Sequence, residues 1–208
     1  EPLAAAADMG LEVVVVDHHT AEPCLPTARA VVNPNRIDET GAHGQLAAVG
    51  VTFLLAVALN RTLRARGAFT GERREPDLRR WLDLVALGTV CDVVPLTGVN
   101  RALVARGLDV LGRRRNAGIA ALCDVARLDS APGPFHLGFL LGPRINAGGR
   151  IGRSDMGARL LATDMPGESA QLARELDRLN TERKEMEAAV LAEAEAQVAA
   201  QGAAEGLG

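Results

Sequence analysis

Aromatic side chains are scarce in this sequence, which has four Phe, one Trp and no Tyr among 208 residues. Stacking on aromatic rings is a common way for proteins to hold flat ring systems. Trp81 and the four Phe residues fall mostly at apolar positions of predicted helices, so they are expected in the core. A binding surface built from aromatic rings is therefore not predicted.

Lysine is scarcer still, because Lys184 is the only one and every other basic residue is Arg. The net charge of −3 gives no overall signal for a polyanionic partner. Compositional bias of the genome explains most of the preference for Arg. Because Arg binds phosphate through two parallel hydrogen bonds where Lys cannot, individual arginines are still candidates for phosphate contacts.

Three cysteines, Cys24, Cys91 and Cys123, occur without any CxxC spacing. Their odd number favours free thiols in a reducing cytoplasm over a disulfide or a zinc site. No apolar run approaches the roughly 20 residues of a membrane-spanning helix, so no membrane association is predicted. The first residues have neither an initiator Met nor the basic segment of a signal peptide. We therefore expect the chain to begin inside a longer polypeptide.

Short β-branched runs alternate with helical patterns in the first two thirds of the chain. Val13–Val16 is predicted as a strand buried on both faces, and Ala30–Asn33 as a second strand that ends at the turn signal Asn33-Pro34-Asn35. Apolar residues at helical period predict long helices over residues 45–66 and 77–90. This alternation predicts an α/β domain with a parallel sheet over residues 1–131.

Residues 132–208 are predicted to form a mainly helical connector. Pro132-Gly133-Pro134 interrupts the chain, and residues 144–153 are rich in Gly and Arg, which predicts a loop. From Glu168 to about Ala200 a narrow apolar stripe predicts one long helix. Such a helix often bridges two domains, and a coiled coil is the alternative.

Asp17-His18-His19 directly follows the first predicted strand. Ligands gather at the carboxyl ends of parallel strands, and a carboxylate with two imidazoles there can bind a divalent ion or orient a phosphate. The alternative is a capping Asp followed by two surface histidines. The triplet alone does not decide between them.

Asp92 is a single carboxylate within the apolar stretch 88–96. A buried carboxylate is costly unless it is paired or binds a metal. One interpretation is a helix-ending Asp that accepts local backbone hydrogen bonds. The other, which we favour, is a metal ligand that acts together with Asp17-His18-His19.

The triplet and Asp92, in this order, resemble the DHH phosphoesterase superfamily, and further segments resemble its RecJ branch. The resemblance extends from about Leu11 to Ala196. The segments that carry it are Val32–Arg36, Gly50–Phe53, Leu82–Val90, Asn100–Val104, Leu141–Arg150 and Leu172–Arg183.

This resemblance implies a 5′-to-3′ exonuclease that acts on single-stranded DNA in recombination and repair, with two Mn²⁺ or Mg²⁺ ions. By position, His18 and Asp92 would ligate one metal ion. His19 would lie either just outside the metal's ligands or against the scissile phosphate, and Asp17 would orient the histidines. The resemblance also implies a single-strand-binding protein or a helicase as candidate partners, and a cytoplasmic location.

Members of this branch also have a DxDG-type motif and another strand-end aspartate before the triplet, and a later domain with a Gly-Gly-His motif. The sequence contains none of these. We therefore expect an internal fragment, incomplete at the N-terminus of the DHH-type domain, that binds metal poorly by itself and cleaves little or nothing.

Arg144, Asn146 and Arg150 are the predicted nucleic-acid-binding residues, since small neighbours would let a phosphate approach the backbone. The alternative is a structural segment whose arginines cap the connector helix. Two other functions stay open: a DHH phosphoesterase for oligonucleotides or cyclic dinucleotides, and a non-catalytic scaffold of the same fold. No Walker-type phosphate loop is present, so nucleoside triphosphate hydrolysis has no support.

Overall fold

The computed structural model describes residues 2–204. Their contacts divide the chain into two compact units. The first contains residues up to 113 together with residues 132–138, and the second contains residues 114–131 and those from 139 onward. The domain boundary predicted at residue 131 stays a prediction, because the two units interleave there.

The first unit combines a small sheet with four helices. Strands β1 (Val14–Val16) and β2 (Ala30–Val32) pair in parallel, with Val14 opposite Ala30 and Val16 opposite Val32. A short 3₁₀ turn, Leu78–Trp81, leads directly into α3. The helices are α1 (Pro2–Asp8), α2 (Ala48–Ala65), α3 (Leu82–Cys91) and α4 (Gly98–Leu111). The predicted parallel α/β arrangement is confirmed.

The first strand is less buried than its four valines predict. Val14 is 52% exposed, and Val15 and Val16 are half-buried. Helix α2 packs against β1, and β2 is the strand that pairs with it in the described part of the chain. The prediction of burial on both faces was therefore wrong for this structure, because a two-stranded sheet leaves edges and part of one face open.

Helices α3 and α4 pack closely against each other in the first unit. A Cβ atom on Gly107 would lie 2.2 Å from the Leu82 carbonyl oxygen and 2.5 Å from the Ala86 Cβ. The two helix backbones therefore approach as closely as Gly107 permits. Buried residues around this contact form the core of the unit: Leu82, Val85, Ala86, Leu87, Val104 and Leu111.

Among the described residues, α2 is the one helix whose length and composition would suit a membrane span. This is weak evidence, because core helices pass the same test. Its buried Asn60 donates a hydrogen bond of 2.8 Å to the Glu75 carboxylate, which also pairs with Arg64. Helix α2 packs against α3 and β1, and 17% of its apolar span is buried.

The second unit is helical, as predicted for the connector. Its helices are α5 (Ala117–Val125), α6 (Gly142–Ile151), α7 (Met156–Ala162) and α8 (Pro166–Ala204). A π-helical segment, His136–Leu141, precedes α6. The first half of α8 packs against α5, α6 and α7, and the predicted long helix is confirmed. The core of the second unit consists of Ile119, Leu122, Leu160, Leu172, Leu176 and Leu179.

Residues 144–151 are helical, so the loop predicted over residues 144–153 was wrong for most of its length. Pro143 stands in the first turn of α6, where its fixed φ suits a helix start. A Cβ on Gly148 would lie 2.9 Å from Leu176 Cδ2, and one on Gly157 would lie 2.7 Å from Ile145 Cγ2. These glycines permit close helix packing, and that packing outweighs their low helix propensity.

Gly107→Ala is expected to lower the free energy of unfolding by about 1–3 kcal/mol, because the added methyl group would overlap the α3 backbone. Gly149→Ala is the matched control, since nothing lies within 4 Å of a Cβ there. That change should stabilise α6 by about 0.5–1 kcal/mol. Urea denaturation of both variants measures the difference; equal stabilities would contradict the packing of α3 on α4.

Candidate metal centre

The candidate centre lies where β1 and β2 end. The Asp17 N–H donates the last regular sheet bond to the Val32 carbonyl, at 3.1 Å. His18 and His19 follow β1, and Asn33 and Asn35 follow β2, at the same edge of the sheet because the strands are parallel. The parallel pairing thus brings imidazole, carboxylate and amide groups together.

Asp17 contacts both of the histidines that follow it. Its Oδ1 accepts hydrogen bonds from the backbone N–H of His18 at 2.7 Å and of His19 at 3.3 Å, and it lies 2.7 Å from His19 Nδ1. Partial burial raises the pKa of Asp17, but the hydrogen bonds from His19 and from both backbone amides outweigh it and hold the pKa below its usual value. Asp17 is therefore a charged acceptor that fixes the start of the triplet.

His18 faces Asp92. The distance from His18 Nε2 to Asp92 Oδ2 is 3.3 Å, and the His18 side chain is 14% exposed against 38% for Asp92. Asp92 is the residue that ends α3, and its N–H donates to the Gly88 carbonyl. Its predicted burial was wrong, because the carboxylate lies at the end of α3, where α3 gives way to an exposed segment.

These donors fit a divalent ion of the Mg²⁺ or Mn²⁺ type. One donor atom from each of Asp17, His18 and His19 lies within 4.8 Å of the others, and Asp92 adds a carboxylate beside His18. Carboxylate suits both Mn²⁺ and Mg²⁺, and imidazole is a common ligand of first-row transition metals. Burial, and then the charge of Asp92, raise the pKa of the neighbouring Cys91 thiol to about 11, so that thiol is protonated and is a poor metal ligand.

Asn33 and Asn35 belong to this centre, although the sequence identified them only as part of a turn and of a segment that resembles RecJ. Asn33 Nδ2 donates to the His19 carbonyl at 2.8 Å, and Asn35 Nδ2 donates to the His18 carbonyl at 2.7 Å. Their signal in the sequence is their position directly after the strand that pairs with the histidine-bearing strand.

The predicted nucleic-acid-binding residues lie in the second unit, on α6. Arg144 is largely buried, with 13% of its side chain exposed, and it donates to Asp177 and to the Leu140 carbonyl. Asn146 and Arg150 are exposed on the opposite side of the helix. Within the described residues Arg150 has no ion pair, which leaves its guanidinium available to a ligand. The roles of all three residues stay predictions.

Residue Val93, which follows Asp92, has an unusual backbone conformation. Its φ is +59°, in the left-handed region that β-branched residues rarely adopt, and the residue is 88% exposed. Its N–H donates to the Val90 carbonyl, so it occupies the position after the helix where Gly is preferred. The strain is thus located beside a candidate metal ligand, as is common at functional sites.

Comparisons with known proteins agree with this geometry. Residues 1–89 match the DHH family, N-terminal domain. The chain is 45% identical over 196 residues to the single-stranded-DNA-specific exonuclease RecJ of Salmonella typhimurium, covering 92% of this chain and 34% of that protein. It is 38% identical over 198 residues to RecJ of Bacillus subtilis, covering 95% and 23%. The chain thus spans about a third or less of the length of these curated relatives.

Solved structures show the same relationship. A crystal structure of exonuclease RecJ bound to manganese matches with a TM-score of 0.77 and 34% identity, over 92% of this chain and 46% of that one. RecJ from Thermus thermophilus in complex with Mn²⁺ matches with a TM-score of 0.76 and 35% identity, over 92% and 27%. The first 89 residues are therefore similar to the N-terminal domain of the DHH family. Over about nine tenths of its length the chain is a relative of RecJ, and the predicted resemblance is confirmed.

Val93→Asn is expected to raise the free energy of unfolding by about 1 kcal/mol, because Asn tolerates a positive φ at lower cost and the Val side chain is exposed. Val190→Asn is the control, since Val190 is also exposed but lies within α8. Thermal denaturation of both variants tests this. No gain at Val93, or the same gain at Val190, would contradict strain at this position.

Proposed function

We propose that this chain carries part of the active site of a metal-dependent nuclease that degrades single-stranded DNA from its 5′ end in recombination and repair. The observation that carries the proposal is the 3.3 Å approach of His18 Nε2 to Asp92 Oδ2 at the carboxyl end of a parallel strand. Similarity to RecJ over about nine tenths of the chain supports the choice of substrate and reaction. A cytoplasmic location is part of the proposal.

The residues of the centre have separate roles. His18 and Asp92 would hold a Mn²⁺ or Mg²⁺ ion, and two ions are proposed for the complete enzyme. When bound, these ions would supply Lewis acidity to the phosphodiester and to the attacking water. His19, with 78% of its side chain exposed, would contact the scissile phosphate, and Asp17 would keep its ring in place through Nδ1.

The activity is proposed for the full-length gene product, because the chain spans about a third of the length of its relatives. Four side chains supply only part of the ligands that two ions need. The 208-residue chain alone is therefore expected to bind metal weakly and to cleave little or no DNA. Clustering of both histidines and Asp92 favours an enzyme over a scaffold of the same fold, which would not need them.

The proposed DNA contact is the exposed side of α6. Asn146 offers an amide there, and Arg150 offers a guanidinium that has no ion pair within residues 2–204. Arg144 would act indirectly, because its guanidinium already joins Asp177 and the Leu140 carbonyl and so holds α6 against α8. A single-strand-binding protein or a helicase is the proposed class of protein partner, in keeping with a single-stranded substrate.

In the full-length gene product, His18→Ala and Asp92→Ala are each expected to reduce Mn²⁺-dependent degradation of 5′-labelled single-stranded DNA by at least about 100-fold, because a lost ligand weakens metal binding. His43→Ala is the matched control, since His43 is exposed and lies outside the cluster of donors. Undiminished degradation by both variants, with unchanged circular dichroism, would overturn the metal assignment. Degradation that starts only from the 3′ end would overturn the proposed polarity.

Arg150→Ala is expected to weaken binding of single-stranded DNA and to reduce the slope of log affinity against log salt concentration by about 1, because one phosphate contact is lost. Metal affinity should not change. Arg178→Ala is the control, because Arg178 is already paired with Glu175 and Glu182. Equal loss of DNA and metal binding in Arg150→Ala would contradict a phosphate contact. Equal weakening of DNA binding in Arg178→Ala would contradict it as well.

A further inference from the structure

Regular pairing between the two strand segments is interrupted beside the histidines. It stops at the bond from Asp17 N–H to the Val32 carbonyl, and backbone bonding resumes where the Ala21 N–H donates to the Asn35 carbonyl at 3.2 Å. Between these two bonds, the carbonyls of His18 and His19 accept hydrogen bonds from asparagine side chains instead.

We propose that Asn33 and Asn35 are positioning residues that hold the backbone of His18 and His19, and thereby aim both imidazoles at the metal. The inference rests on the proposed function for the metal itself. The positioning is a property of the protein without metal, and it can be tested separately.

The two asparagines act as one clamp. Asn33 is 6% exposed, and its Oδ1 accepts the Asn35 N–H at 2.8 Å while its Nδ2 donates to the His19 carbonyl. Asn35 Nδ2 donates to the His18 carbonyl and, at 2.9 Å, to the Gly44 carbonyl. Gly44 fits closely here, because a Cβ would lie 2.6 Å from Asn35 Oδ1. The turn after β2 is thus tied to both histidines and to the segment before α2.

The clamp complements the contacts that Asp17 makes. Asp17 accepts the N–H groups of His18 and His19, and the asparagines donate to their carbonyls. Every backbone polar group of the two histidines therefore has a side-chain partner. A backbone held on both sides limits the directions that the rings can take, and metal sites depend on such supporting contacts for affinity.

Asparagine suits this role because one side chain supplies both a donor and an acceptor. A serine at position 33 could still accept the Asn35 N–H and close the turn. Its hydroxyl is one atom shorter than an amide and would not reach the His19 carbonyl. Asn33→Ser therefore separates turn closure from the hold on His19.

Asn116 provides a matched control. Its Oδ1 accepts the Ile119 N–H at 2.9 Å, and its Nδ2 donates to the Leu161 carbonyl at 3.0 Å. It has the same two kinds of bond as Asn33, but it caps α5 in the second unit. A general loss of stability would appear in variants of both residues, whereas an effect on the histidines would appear only at Asn33 and Asn35.

The experiment uses the 208-residue chain with Asn33→Ser, Asn35→Ala or Asn116→Ala. In the metal-free protein, nuclear magnetic resonance follows the ring signals of the four histidines. Binding of Mn²⁺ alone is measured by electron paramagnetic resonance. We expect the signals of His18 and His19 to shift in the first two variants while that of His136 does not, and Mn²⁺ affinity to fall about 10–100-fold. Asn116→Ala should lower thermal stability and change neither readout.

Unmoved ring signals of His18 and His19 in both Asn33→Ser and Asn35→Ala would overturn the proposal. So would the same loss of Mn²⁺ affinity in Asn116→Ala. If the wild-type chain bound no Mn²⁺, the metal part of the proposed function would fail, and the ring signals would still decide whether the asparagines position the histidines. If one variant did not fold, the other would decide by the same two readouts.

Discussion

Parallel pairing of β1 with β2 is the constraint on which the candidate metal centre depends. The register that sets Val16 opposite Val32 makes both strands end together, so that the histidines and the asparagines leave the sheet side by side. Side chains then replace the missing sheet bonds around the histidine backbone. A shift of one residue would turn the imidazoles to the other face of the sheet and separate them from these partners.

Asp92 reaches His18 through helix packing and not through the sheet. Gly107 lets α4 approach the α3 backbone, and a Cβ on Gly88 would lie 2.8 Å from Val49 in α2. Gly88 and Gly107 thus let α3 pack closely against both α2 and α4, and Asp92 stands at the end of α3. The positive φ of Val93 turns the chain away directly afterwards. Close packing and local strain together determine where the carboxylate lies.

Arginines of the same short segment have different environments because α6 is a helix. Arg144 points toward α8 and is held by Asp177, whereas Arg150, six residues later, lies on the exposed side. In a loop, Arg144 and Arg150 would have had similar environments. Gly148 lets α6 pack closely against Leu176 of α8, so this Gly-rich segment is a helix with one structural and one available guanidinium.

The sequence by itself determined the element types with strong periodicity, the strand-end position of Asp17-His18-His19 and the family relationship, since these depend on local pattern. The tertiary structure decided that Asp92 is partly exposed beside His18, that residues 144–151 are helical, and that Asn33 and Asn35 hold the histidine backbone. Those facts depend on contacts between residues far apart in the chain, such as His18 with Asp92. The fit of side chains across such contacts has no signature in local composition, so only the folded chain reveals it.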